Sequence, residues 1–476
     1  MLLILAMLFT TACGGDGDNK DTDNGADTVH VSDGESTNNE EALGLPSDLK
    51  YPEETITILT AESIVAAPEE LTEESELVDQ AKHAIDLAIE DRFGITLDYV
   101  GIVPWQDTSG MARQSVNAGS DDYQMVFTCA QHQVNLVNEG LYLTHDELPY
   151  IDIDKPWWNK EYIESVSLHE DELYILFGDI TYNTSQRTTC VFFNMNLLEE
   201  KLNMKPQDLY DLVYAGEWTI DKFTELVSQV YEDANGNTQR DTEDIYGFVS
   251  PWNETFNWMA YGSGIKFTTR GDDGYPEINL NTETTVTLVD KLCKLFFGND
   301  GATVKGNAAD DFGAGRALFI VNRFFLTNWE QFRTMTDDYG ILPIPKYDES
   351  IDGYHSPVEE LVQWGAVPVT TSDPVMVSAV AEAMAYEGRE QLTPAYYETT
   401  LKLKLTRDDE SMKMIDLIMA GRDTDYIYIN PLGGLGDVFE KVYAAQQNTF
   451  ASSYASVEMA GAQALADLIE AYEENK

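Results

Sequence analysis

An α/β fold in two lobes is predicted by three observations. About 425 residues follow position 50, long for one core and comfortable for two. They open on an alternation of strand-like and helix-like segments, β-α-β-α-β, which is the seed of a parallel sheet. A second unit then opens after the apolar segment Cys190 to Phe193.

The first element, Thr55 to Ala61, alternates as a strand does and stops at Glu62-Ser63. Leu77, Ala81, Ala84, Ile85, Ala88 and Ile89 recur at helical spacing as one apolar stripe, and Gly94 ends it. Ile95 to Gly101 reads as a second strand, Met111 to Ala118 as a second helix and Tyr123 to Cys129 as a third strand. In the second unit Thr219 caps a helix whose stripe is Phe223, Leu226, Val227 and Val230. Ile245 to Val249 is strand-like and leads into an aromatic loop. Ala317 to Val321 and Tyr339 to Ile344 read as further strands, ahead of Leu361 to Val369 and a helix from Pro374 to Tyr386. A last helix carries Val457, Ala460, Ala464, Leu465, Leu468 and Ile469 on one face. There is no internal repeat.

Residues 1–12 are apolar until Thr10 and Thr11 and run into Thr-Ala-Cys-Gly-Gly, the layout of a short signal peptide. The stretch after Cys13 to about Lys50 is rich in Gly, Asp, Asn, Ser, Thr and Glu and reads as a disordered acidic tether. As a flexible coil it would span about 30 Å. This start resembles the bacterial lipobox, although Thr10 stands where leucine is usual and no Lys or Arg precedes the apolar run. The resemblance implies export and a lipid on Cys13 at the outer face of the membrane. No other run is long and apolar enough for a transmembrane helix. A net charge of −55 disfavours nucleic acid and anionic lipid as partners. Cys129, Cys190 and Cys293 are too few and too scattered for a metal or disulfide framework and read as small hydrophobes.

Ligands of open α/β sheets gather at the carboxyl ends of strands. That rule selects Glu62 and Ser63 after the first strand, and Thr128, Cys129, Gln131 and His132 after the third. Each is equally an ordinary loop residue.

Five stretches, in order, resemble the extracellular solute-binding proteins of the maltose-binding type that serve ATP-driven (ABC) importers. They are Gln124 to Leu148, Val191 to Leu198, Gly216 to Phe223, Phe312 to Phe319 and Tyr339 to Pro345. The resemblance implies a type II periplasmic-binding-protein-like fold that closes on a ligand about hinge strands. By that analogy lobe 1 holds 51–190 with 346–398, and lobe 2 holds 191–345 with 399–476. It also implies a small-molecule cargo, a membrane permease as partner and a monomeric state.

Asp233, Asn235, Asn237, Asp241 and Asp244 stand at positions 1, 3, 5, 9 and 12 of a polar loop, with the carbonyl of Gln239 at position 7. A hard cation wanting six to eight oxygens suits that spacing, so a structural Ca2+ is predicted. Thr238 replaces the turn glycine and Asp244 the usual Glu; without metal the same residues make an Asx-rich turn. Trp252, Phe256, Trp258 and Tyr261 cluster where the resemblance puts cleft aromatics, and flat rings with neighbouring amides suit a sugar. Their other reading is core packing, since Trp258 and Tyr261 are three apart. Asn322 and Arg323 end a strand facing the implied cleft, where the guanidinium holds hydroxyls or pairs with an acid. Trp364 and Gln363 are weaker candidates, and Trp157-Trp158 reads as a packed loop.

No His-Glu-x-x-His, Gly-x-Ser-x-Gly, phosphate-loop or dinucleotide pattern is present, so enzyme classes with such signatures are disfavoured. The expected function is capture of a carbohydrate or oligosaccharide for an ABC transporter. Alternatives are a peptide or other polar solute on the same fold, or a calcium-stabilised surface adhesin or sensor.

Overall fold

The computed structural model describes residues 40–61, 77–102, 107–397 and 409–475. Cys13, most of the tether and Glu62 lie outside the described residues.

The first sheet is built from β1 (Thr55–Ala61), β2 (Thr96–Ile102) and β3 (Met125–Cys129), all parallel, with β1 between the other two. Thr55 pairs with Thr96 and Ile58 with Met125. The crossovers are the helices α1 (Leu77–Phe93) and α2 (Thr108–Asn117). Gly94 ends α1 with φ of +72°, a left-handed turn that a side chain would strain. All five residues of β3 are buried, as a strand covered on both faces requires.

The second sheet is mixed. β4 (Thr189–Asn194) lies antiparallel to β6 (Ala317–Arg323) and to β7 (Tyr339–Leu342), and β5 (Ile245–Val249) runs parallel to β6. The Thr219 hydroxyl caps the helix Ile220–Ser228, accepting from the Lys222 N–H, and that helix turns Phe223, Leu226 and Val227 into the core. Each such ring or branched chain buried contributes about 1.5–3 kcal/mol.

The chain then returns to the first sheet. β8 (Gln363–Ala366) pairs antiparallel with β3, Trp364 opposite Thr128. The segment 409–475 goes back again: Ser411 meets the Tyr210 hydroxyl at 2.8 Å, and the helix Asp409–Ala420 packs on β7. Cys129 and Cys190 are buried and Cys293 is half-buried, all three free thiols. Trp157 and Trp158 are buried, and both indoles donate to Glu382 at 3.0 and 2.8 Å. No helix among the described residues is long and apolar enough to cross a membrane.

Candidate functional site

Two segments that connect the sheets run side by side, next to the end of β6. Thr188 bridges Val358, the Thr189 hydroxyl donates to the Pro357 carbonyl at 2.8 Å, and Arg323 at the end of β6 lies opposite Thr189. This seam gathers three charges. Arg187 donates to Glu359 at 2.7 Å, and Arg323 donates to the other carboxylate oxygen. Glu359 is 1% exposed, and a carboxylate so buried needs such partners to offset its lost hydration.

The end of the first sheet is fastened to the same seam. In the helix Ala130–Asn138, which follows β3, the Ala130 and Gln131 N–H groups donate to the carbonyls of Val362 and Glu360 at 2.8 and 3.2 Å. Gln131 and His132 are half-buried at that helix start. Burial lowers the His132 pKa, which keeps the ring neutral near pH 7. Thr128 is buried, and its hydroxyl has no partner. The Cys129 thiol is pushed up to about 11 by burial and is no nucleophile.

On the second-sheet side, the predicted aromatic loop is a helix, Asn253–Tyr261. Its rings therefore follow helical spacing into the core. Trp258 and Tyr261 are 1% and 4% exposed. The Trp258 indole donates to the Tyr428 hydroxyl at 3.2 Å, and the Arg323 guanidinium lies 5.4 Å from the ring centre. Tyr261 packs on Tyr428, Phe267 and Phe439. Neither ring is an open platform. Phe256 is fully buried, whereas Trp252 is half-buried beside a different core cluster. Asn322 is buried, with its amide nitrogen unpartnered. Trp364 is 1% exposed and donates to Tyr162 at 3.3 Å. It lines a cavity of about 540 Å³ shared with Val134, Tyr174, Leu468 and Tyr472, apart from Trp258.

The seam collects residues that the strand-end rule passes over. Tyr428 donates to Glu360. Burial, and then repulsion from Glu359, raises the Glu360 pKa. Glu254, in the first turn of the Asn253–Tyr261 helix, repels both Glu360 and Glu440. Asn257 donates to Glu440 at 3.2 Å. Phe325 is partly exposed, with the Arg187 guanidinium 5.2 Å from its centre. Phe324 and Leu326 on either side of it are buried, and the Phe325 ring meets Trp329 edge-on.

The polar loop 233–244 is internally bonded. Asp233 accepts from the N–H groups of Asn237 and Thr238 at 3.1 and 2.7 Å, and Asn237 accepts from the Gln239 N–H at 2.7 Å. Asn235 and Asn237 donate to Asp241, and the Asn237 bond leads the causes that hold the Asp241 carboxyl below its usual pKa. Thr238 adopts φ of +62°, the conformation expected of the glycine it replaces. Asp244 is 1% exposed: one oxygen accepts from the Tyr231 hydroxyl at 3.1 Å, and the other has no hydrogen-bond partner. Among the described residues no group of three or more His, Cys, Asp or Glu side chains gathers as a metal cluster.

Two sheets, joined by adjacent crossing segments that carry the polar groups, decide the comparison. The chain has the two-lobe fold of the ABC-transporter solute-binding proteins. UspC from M. tuberculosis matches with a TM-score of 0.56 at 13% identity, over 86% of this chain and 99% of that one. A substrate-binding protein from Listeria monocytogenes, solved with cycloalternan, matches at 0.53 and 12% identity over 88% and 99%. The GacH receptor of Streptomyces glaucescens, solved unliganded and with acarbose, matches at 0.51 and 15% identity over 89% and 98%. No family model and no curated protein matches the sequence.

Proposed function

We propose that the protein captures a small polar solute, a saccharide, in the cleft between its sheets and passes it to a membrane ABC permease. The carrying observation is the partly exposed Phe325 ring beside Arg187. An aromatic face next to fixed donors and acceptors fits the C–H face and hydroxyls of a sugar. The solved neighbours that hold saccharides support the reading through their fold. Closure would move 51–190 with 346–398 against 191–345 with 399–476, in a monomer held by a lipid on Cys13; mass spectrometry of the exported chain tests that anchor. A thermal-shift screen of saccharides and peptides tests the cargo, because a ligand of the folded state raises the midpoint. A shift from peptides alone overturns it.

We also propose that loop 233–244 holds a structural Ca2+. The buried Asp244 oxygen without a partner supports this, as does the left-handed Thr238. The side chains of Asp233, Asn235, Asn237, Asp241 and Asp244 and the Gln239 carbonyl are the oxygens to supply. Calcium titration by calorimetry, repeated on Asp233→Ala, tests it; equal heats from the two chains exclude the loop.

A further inference from the structure

The acids of the cleft outnumber its cations. Glu359 already engages Arg187 and Arg323. Glu254, Glu360 and Glu440 are half-buried and form no ion pair with Lys or Arg among the described residues; the Tyr428 hydroxyl bonds Glu360, and the Asn257 and Asn253 amides bond Glu440. The helix Asn253–Tyr261 links them: it carries Glu254 and, one turn on, Asn257, which holds Glu440, while Tyr261 at its end packs on Tyr428, which holds Glu360; Glu254 repels both of the other acids. Two unpartnered polar atoms belong to the same neighbourhood. The Tyr261 ring packs 4.6 Å from that of Tyr428, the residue that holds Glu360, and the Asn257 carbonyl oxygen sits beside the nitrogen that holds Glu440. Those residues are 4% and 3% exposed.

Carboxylates and an amide oxygen are acceptors, which cannot satisfy one another. Sugar hydroxyls would supply donors but leave the excess negative charge in place. An ammonium group supplies three donors and the compensating charge together. We propose that the cleft selects a saccharide bearing a protonated amine, which seats among Glu254, Glu360 and Glu440. This rests on the reading of the cleft as a saccharide site.

The test is a thermal-shift and calorimetric comparison of di- and trisaccharides in which each backbone is offered in neutral, N-acetylated and free-amine forms. At pH 7 the free-amine form should bind about tenfold tighter than its neutral counterpart, the factor expected of one charged hydrogen bond. Glu254→Gln and Glu440→Gln should each cut that ratio by about fivefold or more while the melting midpoint stays near that of the parent chain. If the neutral form binds as tightly as the amine, or an unchanged ratio accompanies both variants, the amine inference falls and saccharide capture stands. If no saccharide shifts the midpoint, both fall.

Discussion

The Arg323 guanidinium lies over the Trp258 ring, 5.4 Å from its centre, and with the ring 1% exposed neither face is open to a sugar. Trp258 is therefore a structural residue of the seam. Trp258→Ala should lower stability by about 3–5 kcal/mol through the cavity it leaves. Urea unfolding checks this; an undisturbed midpoint would contradict the packing.

Phe325 should behave differently. Its ring is half-buried, and Phe325→Ala should cost about 1–2 kcal/mol, below the cost at Trp258. Saccharide affinity should fall about fivefold with the lost stacking, as measured by calorimetry.

Glu359 and Glu360 are neighbours with different consequences. Glu359→Ala strands two guanidiniums in a buried seam and should cost about 3–5 kcal/mol. Glu360→Gln keeps an acceptor for Tyr428 and should be far milder. Comparing the two unfolding midpoints decides the point.

Glu382 should make stability depend on pH. Burial pushes its carboxyl up to about 7, against the pull of the two indole donors. A raised pKa favours the folded state at low pH, and that contribution is lost as pH rises from about 4.5 to about 7. For a group 1% exposed the loss is on the order of 3 kcal/mol. The stability difference between the parent and Glu382→Gln should shift toward the variant over that window; a constant difference would contradict it.

Arg270 donates to the Glu164 and Leu168 carbonyls at 2.5 and 3.1 Å, and also to that of Ser167, tying the second unit to the end of the helix Lys160–Val166. Arg270→Ala should give a larger radius of gyration in small-angle scattering of the ligand-free protein. An unchanged radius would remove this contact from the control of closure.

Local order was legible in the sequence because its causes are local. The segment Thr55 to Ala61 matches the bounds of β1, and Gly94 marks the end of α1; the buried face of α1 is Val78, Lys82, Ile85, Ile89 and Phe93, so of the expected stripe only Ile85 and Ile89 are buried and Leu77 is exposed. The spacing of Trp258 and Tyr261 carried the helix as well as the loop, and burial decided between them. The two-sheet fold followed from the order of these elements, since strands alternating with helices must bury both faces.

Only the tertiary structure brought Arg187, Arg323 and Glu359 to one point, and set Glu254 near both Glu360 and Glu440. Sequence spacing specifies which side chains share a face of one element. Contacts across 36 to 186 positions depend on where the chain crosses between sheets, so the charge of the cleft was invisible until those crossings were in place.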